Sequence, residues 1–202
     1  MSLPSGRPRL EAEAQLSACR ALASKLPATA LSPADSAALL QLVLQWLSLP
    51  TQPSLAAAGA TTSASALALQ LQLQRESLAL LLWVARDGRA QPQLQPAAVK
   101  QLLQQLAALY TAPATPTAAG HAAAGVQHDA GRAELLCCAT DVLGALPQLA
   151  HPAVRQQAAL QGLDIVVRAL EGLTRGSAAQ RGADRASAAL LIKLLKAFQA
   201  LL

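Results

Sequence analysis

The sequence predicts an all-α fold in which the helices stack as repeating units. Leu, Ala and Gln dominate the composition, and all three residue types favour helices. In most segments the apolar residues recur three and four positions apart, which is the spacing of one helix face. One apolar pattern also occurs twice, 55 residues apart (135 to 190). Its first copy is Leu135, Leu136, Ala139, Leu143 and Leu146, and its second copy is Leu190, Leu191, Leu194, Phe198 and Leu201.

The N-terminal part of the chain predicts two helices after a disordered start at residues 1–9. The first helix covers Leu10–Leu26. The second, Ser32–Leu49, opens with a serine cap that is followed by a proline and an acid, an arrangement that favours a helix N-terminus. This second helix is apolar on nearly all sides, so we expect it to be buried. The prolines Pro50 and Pro53 end it.

The middle of the chain contains a segment whose pattern suits a strand and whose composition suits a helix. Ala66–Gln74 alternates with a period of two, but it lacks the β-branched and aromatic residues that strands favour. We therefore predict one helix over Ser63–Arg86. Pro96 opens a further amphipathic helix, and its Gln105 is expected to face water. Residues 112–130, rich in Ala, Gly, Thr and Pro, predict a low-complexity loop.

The segment Glu134–Leu173 predicts four elements in a fixed order. These are a helix that ends at Pro147, a short helix with Pro152 at its first position, a glycine elbow at Gly162, and a packing helix. This order resembles one armadillo unit. The resemblance implies an armadillo/HEAT-like right-handed helical-repeat solenoid, in which residues 10–202 form a single domain.

The charge and the apolar runs bear on nucleic-acid and membrane binding. The net charge is +5, but only 13% of the residues are charged, so the basic excess is mild and does not form a stripe. Nucleic-acid binding is therefore not favoured, although an organellar or cytosolic helical-repeat RNA-binding or adaptor protein remains the alternative. No run of eighteen apolar residues occurs, so we expect no transmembrane segment.

The residues that usually carry chemistry do not form a recognisable site. His121 and His128 precede the adjacent pair Cys137 and Cys138, a spacing that does not suit the tetrahedral ligands of zinc. No histidine is placed to activate a cysteine nucleophile, and buried, reduced thiols are the simpler interpretation. We therefore expect no catalytic residues, no metal, no cofactor and no small-molecule substrate, and hence no enzyme.

A second resemblance covers both ends of the chain. Trp46–Pro53 (WLSLPTQP), with its Trp followed by Pro50 and Pro53, resembles an element of the N-terminal armadillo-like domain of the rotatin family. Pro152–Val154, Gly162 and the apolar helix that follows resemble a later part of that domain, in the same order. The resemblance implies a non-enzymatic scaffold of centrioles and basal bodies that supports centriole integrity and cilium assembly.

The resemblance also implies structural roles for the matching residues. Trp46 and the two prolines are expected to fix how the second helix leaves the core. Pro152 and Gly162 are expected to fix the turn of the repeat.

The last predicted helix carries a long apolar stripe. It consists of Leu190, Leu191, Leu194, Leu195, Phe198, Leu201 and Leu202. The sequence supplies no later element to cover this stripe, so we expect another repeat or a centriolar or basal-body protein to pack on Leu194 and Phe198. Together with the rotatin-like element at Trp46–Pro53, this expectation places the chain in the cytoplasm, at the cytoskeleton of the centriole or basal body.

Overall fold

A computed structural model describes residues 7–25, 32–47, 60–86, 94–111, 122–177 and 185–202. Within these ranges the chain is all-α, as predicted, and no strand is present. The α-helices are α1 (Arg7–Lys25), α2 (Pro33–Leu47), α3 (Ala60–Arg86), α4 (Pro96–Thr111), α5 (Ala122–Leu149), α6 (Arg155–Ser177) and α7 (Arg185–Leu201). A 3-10 turn, Pro152–Val154, lies between α5 and α6.

The helices pack in two rows. In one row α1 contacts α3, α3 contacts α5, and α5 contacts α7; in the other, α2 contacts α4 and α4 contacts α6. The rows meet where α2 touches α3, where α4 and α6 touch α5, and where α6 touches α7. Helix α5 therefore contacts four other helices, two from each row, and lies at the centre of the C-terminal half.

Several helix and loop boundaries in the structure differ from the predicted ones. Helix α1 begins at Arg7, so the disorder predicted for residues 1–9 is wrong for its last three residues, and residues 1–6 lie outside the described ranges. Helix α3 confirms the helical prediction for Ala66–Gln74. The loop predicted at 112–130 is wrong from Ala122 onward, because α5 begins there; residues 112–121 lie outside the described ranges.

The start of α2 confirms the predicted serine cap. The Ser32 hydroxyl accepts a hydrogen bond from the backbone N–H of Asp35 at 3.2 Å and donates one to the Asp35 carboxylate at 2.6 Å. The first N–H groups of a helix have no partner within the helix, so this bond satisfies one of them. The carboxylate also lies at the positive end of the helix dipole, which stabilises the first turn.

The end of α2 is held by glutamines from the two neighbouring helices. Gln74 of α3 donates a side-chain hydrogen bond to the Leu47 carbonyl at 3.4 Å. Gln105 of α4 donates another to the Leu44 carbonyl at 3.2 Å. Both carbonyls belong to the last described turn of α2. The prediction that Gln105 faces water is wrong, because the side chain is half-buried and forms this bond between helices.

Pro147 does not end its helix as predicted, since α5 continues through it to Leu149. A proline removes one helical hydrogen bond and strains the turn before it. Here only the last turn is affected, and tertiary bonds hold that turn in place. The backbone N–H of Leu94 donates to the Leu149 carbonyl at 2.7 Å, and the N–H of His151 donates to the Leu94 carbonyl at 2.9 Å.

Pro152 opens a helical turn, as predicted. It occupies the first position of the 3-10 turn, and the His151 imidazole caps the turn by accepting the backbone N–H of Ala153 at 3.2 Å. The turn leads directly into α6, which runs without a break from Arg155 to Ser177.

The elbow predicted at Gly162 is wrong. Gly162 lies inside α6, and no described glycine has a positive φ angle. Its role is steric, because it is buried where α6 meets α5 and α7. A Cβ atom added there would lie 3.4 Å from Leu146 Cδ2 and 3.4 Å from Leu201 Cδ2. The position therefore leaves room for about one methyl group at the junction of three helices.

We expect Gly162→Ala to preserve or raise stability and Gly162→Val to lower it. Alanine gains up to about 1 kcal/mol of helix propensity over glycine. Valine adds methyl groups that would overlap Leu146 and Leu201, and overpacking of this kind costs about 1–3 kcal/mol. Urea unfolding of both variants measures the difference. Gly172 provides the control, because nothing lies within 4 Å of a Cβ added there. Equal losses of stability in Gly162→Val and Gly172→Val would contradict the close packing around Gly162.

Candidate interaction surface

The residues predicted to shape the N-terminal element do not lie on a described surface. Trp46 is buried, with only 5% of its surface exposed, so it packs in the core instead of offering a contact. Pro50 and Pro53 lie outside the described residues. The described contacts that fix the end of α2 are the hydrogen bonds from Gln74 and Gln105, which the sequence did not predict.

The apolar stripe of α7 is divided between the core and solvent. Leu194 is fully buried and Phe198 is half-buried, so the prediction that these two residues form the open contact surface is wrong. The buried half faces α5 and α6, the two helices that α7 contacts. It consists of Leu190, Leu194, Ala197 and Leu201.

The other half of the stripe is open and forms what we call the outer face of α7. Its apolar members, with exposed fractions in parentheses, are Leu191 (39%), Ile192 (54%), Leu195 (54%) and Leu202 (82%). Lys196, also exposed, borders this face. Ile192 was absent from the predicted stripe, although its position three residues before Leu195 places both on one side of a helix.

The contact between α5 and α7 is close and carries one ion pair. A Cβ atom added to Gly144 of α5 would lie 3.5 Å from the Cα atom of Ala197, so the two backbones approach closely here. The Lys193 ammonium of α7 donates a hydrogen bond to the Asp141 carboxylate of α5. The partners of Asp141 and Gly144 follow the same order along α7, which shows that the two helices run parallel.

The other described ion pairs reduce the exposed charge. Arg75 of α3 bonds to Glu134 of α5, which links these two helices. Arg168 and Asp164 form a pair within α6, with nitrogen and oxygen 2.9 Å apart. These arginines and Lys193 therefore face carboxylates and do not add up to an open basic groove.

The described thiols are held in their neutral form. Burial raises the pKa of Cys19 to about 11, although a hydrogen bond with Ser77 acts in the opposite direction. Burial also raises the pKa of Cys137 and of Cys138, while the nearby Lys193 ammonium lowers it in part. A nucleophilic cysteine requires a lowered pKa, so these thiols are poorly suited to catalysis.

The described ranges also bear on metal and membrane binding. Within these ranges, no three His, Cys, Asp or Glu side chains lie close enough together to share a metal ion. None of the helices in the same part of the chain combines the length and apolarity that a membrane crossing requires.

Comparisons with protein families, curated proteins and solved structures find no match to this chain.

The division of α7 predicts that aspartate destabilises the protein much more at a buried position than at an exposed one two residues away. Leu194→Asp should destabilise the protein by about 3–5 kcal/mol, because it buries a charge and removes core packing. Ile192→Asp should cost about 1 kcal/mol or less, since the side chain is half exposed. Both changes introduce aspartate into the same helix, so the intrinsic cost of a helical aspartate is shared and the difference between their urea midpoints reports mainly on burial. Similar losses would contradict the division.

The raised pKa of Cys19 predicts a loss of stability in alkali. The unfolded thiol ionises near its ordinary pKa of 9.0, whereas the folded thiol holds its proton up to about pH 11. Stability should therefore fall as the pH rises between these values. Urea midpoints at about pH 8 and about pH 10.5 should move less in Cys19→Ala than in the parent protein. An equal shift in both proteins would mean that Cys19 does not contribute.

Proposed function

We propose that this chain is a non-enzymatic scaffold that binds another protein through the outer face of α7. The observation that carries the proposal is a group of four exposed aliphatic residues: Leu191, Ile192 and Leu195 on one side of α7, and Leu202 directly after its last residue. Contiguous apolar surface of this kind is costly in water and commonly marks an interface.

The packing supports a helical-repeat solenoid of the armadillo/HEAT type as the architecture of this scaffold. Helices α5 and α7 lie in one row, and the buried positions of α5 recur 55 residues later in α7 (135 to 190). The pairs are Leu135 with Leu190, Ala139 with Leu194, Val142 with Ala197, and Leu146 with Leu201. Units that each contact only their neighbours, as in these rows, are the basis of solenoid architecture. The right-handed sense of the solenoid comes from the armadillo resemblance alone.

We further propose that the scaffold is a rotatin-like component of centrioles or basal bodies. The support is the sequence resemblance at Trp46–Pro53 and at Pro152–Val154. The second element has the helix-opening proline that the resemblance requires, but its glycine elbow is replaced by continuous helix at Gly162. The proposal for location and role therefore depends mainly on the Trp-Pro element and on the proline-opened turn.

Protein binding fits this surface better than RNA or membrane binding does. An RNA-binding face needs several unpaired cations, because its affinity comes mainly from phosphate contacts. Here Arg168 and Lys193 bond to carboxylates, and Lys196 is the cation that borders the outer face. A helix that binds a membrane surface likewise combines an apolar face with many basic residues. Lys196 alone beside the outer face therefore does not favour membrane binding.

Fluorescence imaging of the tagged protein in ciliated cells tests the proposal. We expect the parent protein at centrioles or basal bodies. The double variant Ile192→Asp, Leu195→Asp should become diffuse, because both charges lie on the exposed face and would have to be desolvated on binding.

The matched control places the same substitution at an exposed apolar residue of α6. Leu160 is 61% exposed and is not on α7, so Leu160→Asp should leave the localisation unchanged. Circular dichroism and urea unfolding must show that all variants remain folded. A diffuse parent protein contradicts the proposed location, and a folded double variant that still localises contradicts the role of the outer face.

A further inference from the structure

The contact between α5 and α7 indicates what kind of partner the outer face of α7 accepts. Resting on the proposed function, we infer that the partner is an amphipathic helix of another protein. It lies parallel to α7 and carries a carboxylate opposite Lys196.

The inference begins with the face that α5 turns toward α7. Cys137, Asp141 and Gly144 follow one another at four and three residues, so they share one side of the helix. Asp141 bonds to Lys193, and Gly144 lies against Ala197. The charge of Lys193 also acts on the thiol of Cys137. Asp141 and Gly144 therefore border α7, and Cys137 lies one turn before Asp141 on the same side of α5.

The internal repeat identifies the residues of α7 that are equivalent to this side of α5. A shift of 55 residues (135 to 190) superimposes the buried positions of the two helices. The same shift carries the three α5 residues onto Ile192, Lys196 and Gln199. All three are exposed, and Ile192 is one of the four apolar residues of the outer face. The side of α7 that is exposed to solvent is therefore equivalent, under the repeat, to the side of α5 that packs against α7.

The partner's charge follows from the residue at the centre of this side. In the α5–α7 contact, the carboxylate of Asp141 receives an ammonium from the next helix. In α7 the equivalent position holds Lys196, so the sign is reversed and the next helix must supply the carboxylate. The partner helix is expected to run parallel to α7 because α7 runs parallel to α5. Gln199 replaces Gly144, so the partner is held farther away than α7 is from α5.

The same charge argues against a second copy of this chain as the partner. Two copies related by a two-fold axis through this face would bring the same residues of both chains together. The two Lys196 ammonium groups would then lie near one another and repel. A different protein with an acidic position avoids this repulsion.

A charge-exchange experiment tests the inference with peptides of defined sequence. The probe is a fluorescent peptide of residues 185–202 with the substitution Lys193→Glu. If this peptide packs on α7 as α7 packs on α5, its glutamate lies opposite Lys196, in the position equivalent to that of Lys193 opposite Asp141. The comparison peptide has the native sequence. Binding to the full chain is followed by fluorescence anisotropy. The full-chain variants are the parent protein, Lys196→Glu and Ile192→Asp, with circular dichroism to confirm that each is folded.

We expect the Lys193→Glu peptide to bind the parent protein about two- to fivefold more tightly than the native peptide, as for one exposed ion pair. This preference should reverse in Lys196→Glu, and Ile192→Asp should weaken both peptides. If the native peptide binds the parent protein more tightly, the peptide displaces α7 from α5 and its Lys193 pairs with Asp141. This result would overturn the inference.

Three other results would also overturn the inference. They are absence of peptide binding, binding unaffected by Ile192→Asp, and a concentration-dependent dimer of the parent protein that Ile192→Asp abolishes. The proposed function has its separate readout in localisation. If the double aspartate variant becomes diffuse while the charge preference is absent, the docking face stands and only the parallel acidic helix is wrong.

Discussion

The fold depends on the burial of α5, because this helix contacts α3 and α7 in its own row and α4 and α6 in the other. Ala139, Val142, Leu143 and Leu146 are all fully buried. Each fully buried leucine or valine contributes about 1.5–3 kcal/mol relative to exposure. These four residues form one stripe of α5, and Gly144 meets α7 on a different side, so several helices surround this one helix. The approach of α7 at Gly144 and the junction at Gly162 are consequences of this crowding.

The sequence predicts what local chemistry determines and misses what distant contacts determine. The Ser32 cap, the turn at Pro152 and the helix over Ala66–Gln74 follow from side-chain type and composition, and all three are confirmed. Pro147 and Gly162 are strong local signals for a break, yet helices continue through both. Leu94 secures the turn after Pro147, and Leu146 and Leu201 surround Gly162, so residues far away in the chain decide both outcomes.

The same limit explains the error in the candidate surface. An apolar stripe shows which side of a helix avoids water, but not how much of that side its neighbours cover. Helices α5 and α6 cover Leu194 and leave Ile192 and Leu195 more than half exposed. The sequence therefore identified the apolar stripe of α7 but not which of its residues remain exposed. The internal repeat was the stronger signal, because the buried positions of α5 and α7 coincide under the shift it defines.

Ion pairs join the helices of the row that contains α3, α5 and α7. One ion pair joins α3 to α5 through Arg75 and Glu134, and one joins α5 to α7 through Lys193 and Asp141. Partly exposed pairs of this kind add little stability, since water solvates both partners well. They do penalise a helix that brings like charge to the same position, and so they disfavour other registers of the contact. Apolar burial thus supplies most of the stability along the row, while each ion pair disfavours a like charge at its position; under the proposed docking, Lys196 would act in the same way on the open side of α7.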